Sequence, residues 1–158
     1  MPETSDDAGI RVFPPLVYFG ALIVGYVIWW FWPLPILPEP WTWLARIVGI
    51  VMFAVGVWLI SAAASRFRKI DNDPNPMTPT VALTFEGPYR FTRNPMYLGM
   101  TLILVGLAFV GNALWPLLAA IPVVAIIQSQ VILKEERYLE AKFGAEYRAF
   151  RTRVRRWF

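Results

Sequence analysis

Between Met96 and Leu133 the chain carries no charged side chain. One unbroken helix of that length, at about 1.5 Å per residue, would extend about 57 Å, nearly twice the ~30 Å hydrocarbon core of a bilayer. The segment must therefore fold back once. Gly111-Asn112 is the natural break, and Trp115-Pro116 starts the return helix. The two arms form a tight helical hairpin, the first short for a full crossing and the second with Pro122 inside it, where proline kinks a helix. Composition agrees with a membrane setting. The chain is 57% hydrophobic and 16% charged, with mean hydropathy +0.48, whereas about a quarter of a soluble domain is charged.

Two further apolar runs precede the hairpin. The first, Pro14 to Trp32, ends in Trp29, Trp30, Phe31 and Trp32, an interfacial aromatic belt. Pro33, Pro35, Pro38 and Pro40 make a stiff connector, since proline cannot continue a helix. The second run, Leu44 to Ala64, is followed at once by Arg66, Arg68 and Lys69. The predicted fold is all-α: one polytopic membrane domain over residues 1–158, with four transmembrane helices. Residues 1–13 read as a solvated tail. Its start, Met1 to Gly9, is acidic and lacks the basic region and cleavage site of a signal peptide. Residues 65–95 form a loop broken by Pro74, Pro76, Pro79 and Pro88, too long for an idle connection. In the tail 134–158, Leu139, Phe143, Tyr147, Phe150 and Val154 recur at helical spacing. With Gly144 as an interruption, two amphipathic helices lying along the membrane surface are predicted. Basic residues crowd the 65–95 loop and the tail, while Arg46 stands alone near the other side. The positive-inside rule puts loop, tail and both termini in the cytosol, which in a prokaryote means the inner membrane.

The chain has no cysteine and no histidine. Thiol nucleophiles, histidine bases, zinc fingers and iron–sulfur sites are excluded, and no metal is expected. The net charge of +4 fits anionic lipid and topology rather than nucleic acid.

Two polar clusters flank the hairpin at one membrane face. In the first, Asn94-Pro95 is a good helix start, Asn as N-cap and Pro at the first helical position. A helix N-terminus suits an anion, and Arg90 and Arg93 add full charges beside it. Tyr97 offers a hydroxyl at the interface, and Gly99, one turn on, allows close approach of a backbone or flat ligand. The second cluster is Glu135-Glu136, with Arg137 next to it and Gln128 on the same helix face. Carboxylates there could accept hydrogen bonds from ribose hydroxyls or an amino group. Each cluster alone also reads as an ordinary helix cap or a solvated first turn. Together they suit a zwitterionic ligand, such as S-adenosylmethionine. Ser61, Ser65, Gln128, Ser129 and Gln130 suggest a small polar chamber beneath the bundle.

Gly87-Pro88-Tyr89-Arg90, Arg93-Asn94-Pro95-Met96-Tyr97-Leu98-Gly99, the apolar hairpin, Glu135-Glu136 and Phe143-Gly144-Ala145-Glu146-Tyr147 resemble the isoprenylcysteine carboxyl methyltransferase family. The related phospholipid N-methyltransferases share the Asn-Pro-Met-Tyr and Glu-Glu elements. The likeness covers about residues 78–154. Asn94 stands where that pattern often has His. The resemblance implies a membrane-embedded methyltransferase dependent on S-adenosylmethionine, acting on a lipophilic acceptor that arrives from the bilayer. It implies that Arg93, Asn94, Pro95, Tyr97 and Gly99 line the cofactor pocket, with Gln128 nearby. Glu135 and Glu136 would hold the ribose or amino end, and Tyr89 and Arg90 would form the rim. A carboxylate acceptor would be aimed by Arg90 or Arg137; an amine or thiol would need Glu135, Glu136 or Tyr97 as a base. Two other readings compete. The C-terminal part of sterol reductases, which use NADPH, resembles the same motifs in much longer chains. A non-catalytic scaffold binding anionic lipid is the third.

Overall fold

The computed structural model describes residues 8–73, 75 and 77–158. The acidic stretch 1–7 of the expected solvated tail lies outside them, as do Pro74 and Pro76. Among the described residues the fold is helical: α1 (Pro14–Phe31), α2 (Thr42–Lys69), a 3-10 turn (Gly87–Arg90), α3 (Pro95–Val110), α4 (Leu114–Ile127) and α5 (Leu133–Arg153). Three helical runs are long and apolar enough to cross a membrane: α1, α2 and the continuous stretch Leu114–Arg153. The hairpin's first arm, α3, is shorter at 16 residues. The outer faces of α1, α2 and α4 expose large apolar side chains, Leu16, Phe19, Ile50, Trp58 and Ile121 among them, as lipid-facing helices do.

The hairpin breaks where the sequence places it. α3 stops at Val110, and Asn112 adopts a left-handed backbone (φ 47°). Its side chain does more than turn the chain. The Asn112 amide oxygen accepts from the Ile36 and Leu37 N–H groups at 3.1 and 2.9 Å, and its Nδ2 donates to the Leu37 carbonyl at 2.8 Å. The proline-rich connector is thus clasped to the hairpin tip. The Trp115 indole donates to the Trp32 carbonyl at 2.7 Å and completes that end.

α2 and α3 meet along a glycine seam. A Cβ on Gly56 would lie 2.6 Å from the Gly99 carbonyl oxygen, and one on Gly99 2.7 Å from that of Gly56. Gly49 and Gly106 meet in the same reciprocal way two turns further along, at 2.5 and 2.7 Å. No side chain larger than hydrogen fits either crossing, and close backbone approach is how helices gain packing contact in lipid. α1 packs on α4, with Gly25 against the Pro116 backbone.

Two expectations change. The tail does not begin as a separate helix: α4 passes through a single π-helical turn, Gln128–Ile132, directly into α5. Gly144 does break α5, with φ 53° and ψ −120°. Its apolar stripe packs inward, because aromatic partners are available there. Tyr147 and Phe150 are buried with Ala63 and Tyr89, flanked by Phe67, Phe85, Leu139, Phe143 and Val154. Residues 8–13 are not a solvated tail either: Ile10 is buried in the core cluster beside Val12 and Trp157.

Candidate cofactor site

The polar end of the bundle is closed by the 65–95 loop, and its rim is set by local backbone chemistry. Gly87 takes φ +60°, Pro88 follows, and the resulting 3-10 turn drives Tyr89 inward. Its ring stacks on Phe67, 5.4 Å between centroids and 6° from parallel. Burial, helped by the nearby Glu135 charge, pushes the Tyr89 hydroxyl well above its usual value of 10. Upstream, buried Asn72 folds the loop on itself. Its Oδ1 accepts from the Val81 and Ala82 N–H groups, and its Nδ2 donates to the Ala82 carbonyl.

The start of α3 is built differently from the expectation. Asn94 precedes the helix, and its carbonyl accepts the Leu98 N–H at 3.0 Å. Its side chain makes no capping hydrogen bond; instead Nδ2 donates to the Arg156 carbonyl at 2.9 Å. The Thr92 hydroxyl donates to the same carbonyl at 3.0 Å, and the Arg93 N–H to that of Arg155 at 3.0 Å. The last residues of the chain are thus strapped across the beginning of α3. At the strap's end, the Trp157 indole donates to Gln128 Oε1 at 3.0 Å.

The two carboxylates after the π-turn have different surroundings. Glu135 accepts from the Tyr97 hydroxyl at 2.9 Å. Glu136, only 8% exposed, is gripped by Arg156 in a two-pronged contact, Nε to Oε1 at 2.9 Å and Nη2 to Oε2 at 2.8 Å. That contact raises the Arg156 guanidinium above its ordinary value. Arg93 Nη1 approaches Glu136 Oε1 at 3.1 Å as an ion pair. Arg93 Nε and Nη1 are buried with no hydrogen-bond partner among the described residues.

These groups surround a cleft of about 850 Å³, a volume that includes open solvent at its mouth. Arg93, Asn94, Pro95, Tyr97, Glu135 and Glu136 all line it, as does Tyr89. Four other candidates lie elsewhere. Gly99 is used in the glycine seam, and Gln128 holds Trp157. Arg137 is exposed and donates to the Leu133 carbonyl of its own helix, and Arg90 is exposed on the outer side of the 3-10 turn. The expected polar chamber does not form either. The Ser65 and Ser129 hydroxyls turn back to carbonyls of their own helices, Ser61 and Ala125, and Gln130 is exposed. Sequence reasoning missed Arg156, Thr92 and Asn72. Arg156 is one of several basic residues in a tail already explained by topology, so no pattern singled it out.

The polar end of this helical membrane bundle holds a cleft lined by Arg93, Glu135 and Glu136, a candidate ligand site. The chain belongs to the phospholipid methyltransferase family, whose model matches residues 44–146. The match takes in α2, the loop, the hairpin and the start of α5, and leaves out α1 and the C-terminal strap. The protein is therefore a membrane methyltransferase of a family that acts on lipids. A shorter stretch is 45% identical over 64 residues to an uncharacterized protein of Haemophilus influenzae, covering 39% of this chain and 98% of that one. No solved structure matches the chain.

Proposed function

We propose that the cleft binds S-adenosylmethionine and that the protein methylates the amine headgroup of a membrane lipid at the cytosolic face. One observation carries the reading: a single cleft is lined both by Arg93, whose buried Nε and Nη1 have no hydrogen-bond partner among the described residues, and by Glu135, a carboxylate held by Tyr97. An amino-acid group matches that pair, its carboxylate on Arg93 and its ammonium toward Glu135, because buried charged donors are satisfied by charged acceptors. Asn94, Pro95 and Tyr89 would complete the walls. When bound, the cofactor supplies a methyl group already activated on a sulfonium. What remains for the chain is to position the acceptor, exclude water and take up a proton.

The wall chemistry favours an amine over a carboxylate acceptor such as prenylcysteine. Arg93 is the cation among the described residues lining the cleft, and Arg90 and Arg137 lie off it. A second carboxylate would compete for one guanidinium. An amine headgroup brings no competing carboxylate, and the proton it loses on methylation can leave through the cleft's open mouth. The acceptor's alkyl chains have an apolar groove between α1 and α3, lined by Phe19, Leu22, Met100 and Leu104. At its floor the Tyr18 hydroxyl bonds Thr101 and the Tyr97 carbonyl, so groove and cleft share one turn of α3.

The test is calorimetric binding of S-adenosylhomocysteine in detergent, with NADPH as the competing ligand, followed by labelled-methyl transfer to phosphatidylethanolamine and to a prenylcysteine. Binding of S-adenosylhomocysteine but not NADPH, weakened by Glu135→Gln, and transfer to the amine lipid are expected. Binding of NADPH alone would return the protein to the reductase reading. Transfer to prenylcysteine alone would overturn the amine assignment.

A further inference from the structure

We propose that the C-terminal strap is part of the ligand site, and that Arg156 is a positioning residue that keeps Arg93 available to an anionic ligand group. The inference rests on the cofactor reading above. The Glu136 carboxylate is buried, and two guanidiniums compete for it. Arg156 holds both oxygens in a planar fork at 2.8 and 2.9 Å, the geometry in which arginine binds carboxylate best. Arg93 reaches the same carboxylate at 3.1 Å but makes no aligned hydrogen bond through Nη1. Two positive charges against one negative leave one positive charge over, and the strap decides where it sits.

The strap is held for this task from several sides. The Arg156 carbonyl accepts from Asn94 and Thr92, the Arg155 carbonyl accepts from Arg93, and Trp157 is tied to Gln128 in the π-turn. The Arg156 backbone thus registers the segment that carries Arg93 while its side chain occupies Arg93's rival partner. Without the Arg156 side chain, a buried carboxylate would be left short of donors, a costly state. The nearest cation is Arg93, so Arg93 would swing into the vacated fork. The cleft would then lose its anion receptor without losing a lining residue. The family match ends at residue 146, so the strap is a feature of this chain outside the matched region.

The experiment measures S-adenosylhomocysteine binding by calorimetry on purified full-length protein in detergent. It compares wild type, Arg156→Gln, Arg156→Lys and the double variant Arg156→Gln/Glu136→Gln, each checked for cooperative thermal unfolding. Arg156→Gln should weaken binding about tenfold, the worth of one charge-assisted hydrogen bond. Removing the Glu136 charge as well abolishes the capture of Arg93, so the double variant should recover to within about threefold of wild type. A purely structural role predicts the opposite order, with the double variant weaker still. If Arg156→Gln does not fold, Arg156→Lys decides. Lysine keeps the charge without the fork, and a binding loss of several-fold is expected. Wild-type affinity in a folded Arg156 variant, or a double variant as weak as the single one, overturns the proposal alone. Absence of wild-type binding overturns the cofactor reading and this inference with it.

Discussion

The glycine seam sets up a comparison between two chemically identical substitutions. A Cβ at Gly106 would lie 2.7 Å from the Gly49 oxygen, 2.8 Å from the Phe53 nitrogen and 3.3 Å from the Met52 Cβ. The first two are backbone atoms, which cannot rotate away. Ordinary contact begins near 3.4 Å, so α2 and α3 must part by about 0.7 Å at that crossing, forfeiting dispersion contacts on both sides. Overpacking of this kind costs about 1–3 kcal/mol, while replacing a helical glycine by alanine returns at most about 1 kcal/mol. The net expectation for Gly106→Ala is a loss of about 1–2 kcal/mol. On α1, a Cβ at Gly20 meets nothing within 4 Å, so Gly20→Ala should be neutral or stabilising by up to about 1 kcal/mol. Denaturant unfolding in mild detergent, followed by far-UV circular dichroism, reads both variants. Gly106→Ala as stable as Gly20→Ala would refute the close approach of α2 and α3.

The clasp at the hairpin tip predicts that Asn112→Ala loses about 2–3 kcal/mol, because three side-chain hydrogen bonds go and alanine tolerates the left-handed backbone less well than asparagine. Asn112→Gly should lose less, and a thermal shift series separates the two. Tyr97→Phe removes the 2.9 Å donor to Glu135 and should cost about 1–2 kcal/mol by the same unfolding assay. Glu86→Gln breaks an ion pair with Arg66 whose carboxylate is 73% exposed, and should change stability by less than about 0.5 kcal/mol. Tyr89 is held neutral in the fold, so its contribution is intact below pH 10 and is lost as the pH climbs toward its raised folded value. Unfolding of wild type against Tyr89→Phe between pH 8 and 11.5 should show the smaller alkaline loss in the phenylalanine variant.

What could be read from the sequence was whatever local chemistry decides. An uncharged run too long for one crossing has to turn, and Gly111-Asn112 is where it turns. Asn94 stood out as a helix start, Tyr97 as an interfacial hydroxyl and Glu135 as a carboxylate directly after an apolar span, and all three line the cleft. What escaped depends on partners distant in the chain. Gly99 read as room for a ligand, but its neighbour is Gly56. Asn94 read as a cap, but a carbonyl from the end of the chain takes its amide. The serines near the polar end escaped for a local reason instead: they read as lining a chamber, but a hydroxyl on a helix finds its own backbone first. Arg156 looked like its basic neighbours because the carboxylate that distinguishes it lies 20 residues away in sequence.

The π-turn Gln128–Ile132 makes residue number into an angle. Each residue of an α-helix advances the face by about 100°, and a π-turn absorbs one extra residue without lengthening the path to match. Val123 and Ile127 are buried in the core before it, and Glu136 lines the cleft after it. Straightening the turn into plain α-helix with all its residues kept would instead advance everything downstream by about 100°. Glu135 would leave Tyr97, Glu136 would leave Arg156, and the aromatic stripe of α5 would face away from Phe67 and Tyr89. In a lineage of such chains, loss of the one extra residue should be tolerated here, whereas a single-residue insertion or deletion elsewhere in the run from Leu114 to Arg153 would alter the phase between the membrane half of the molecule and its reactive end.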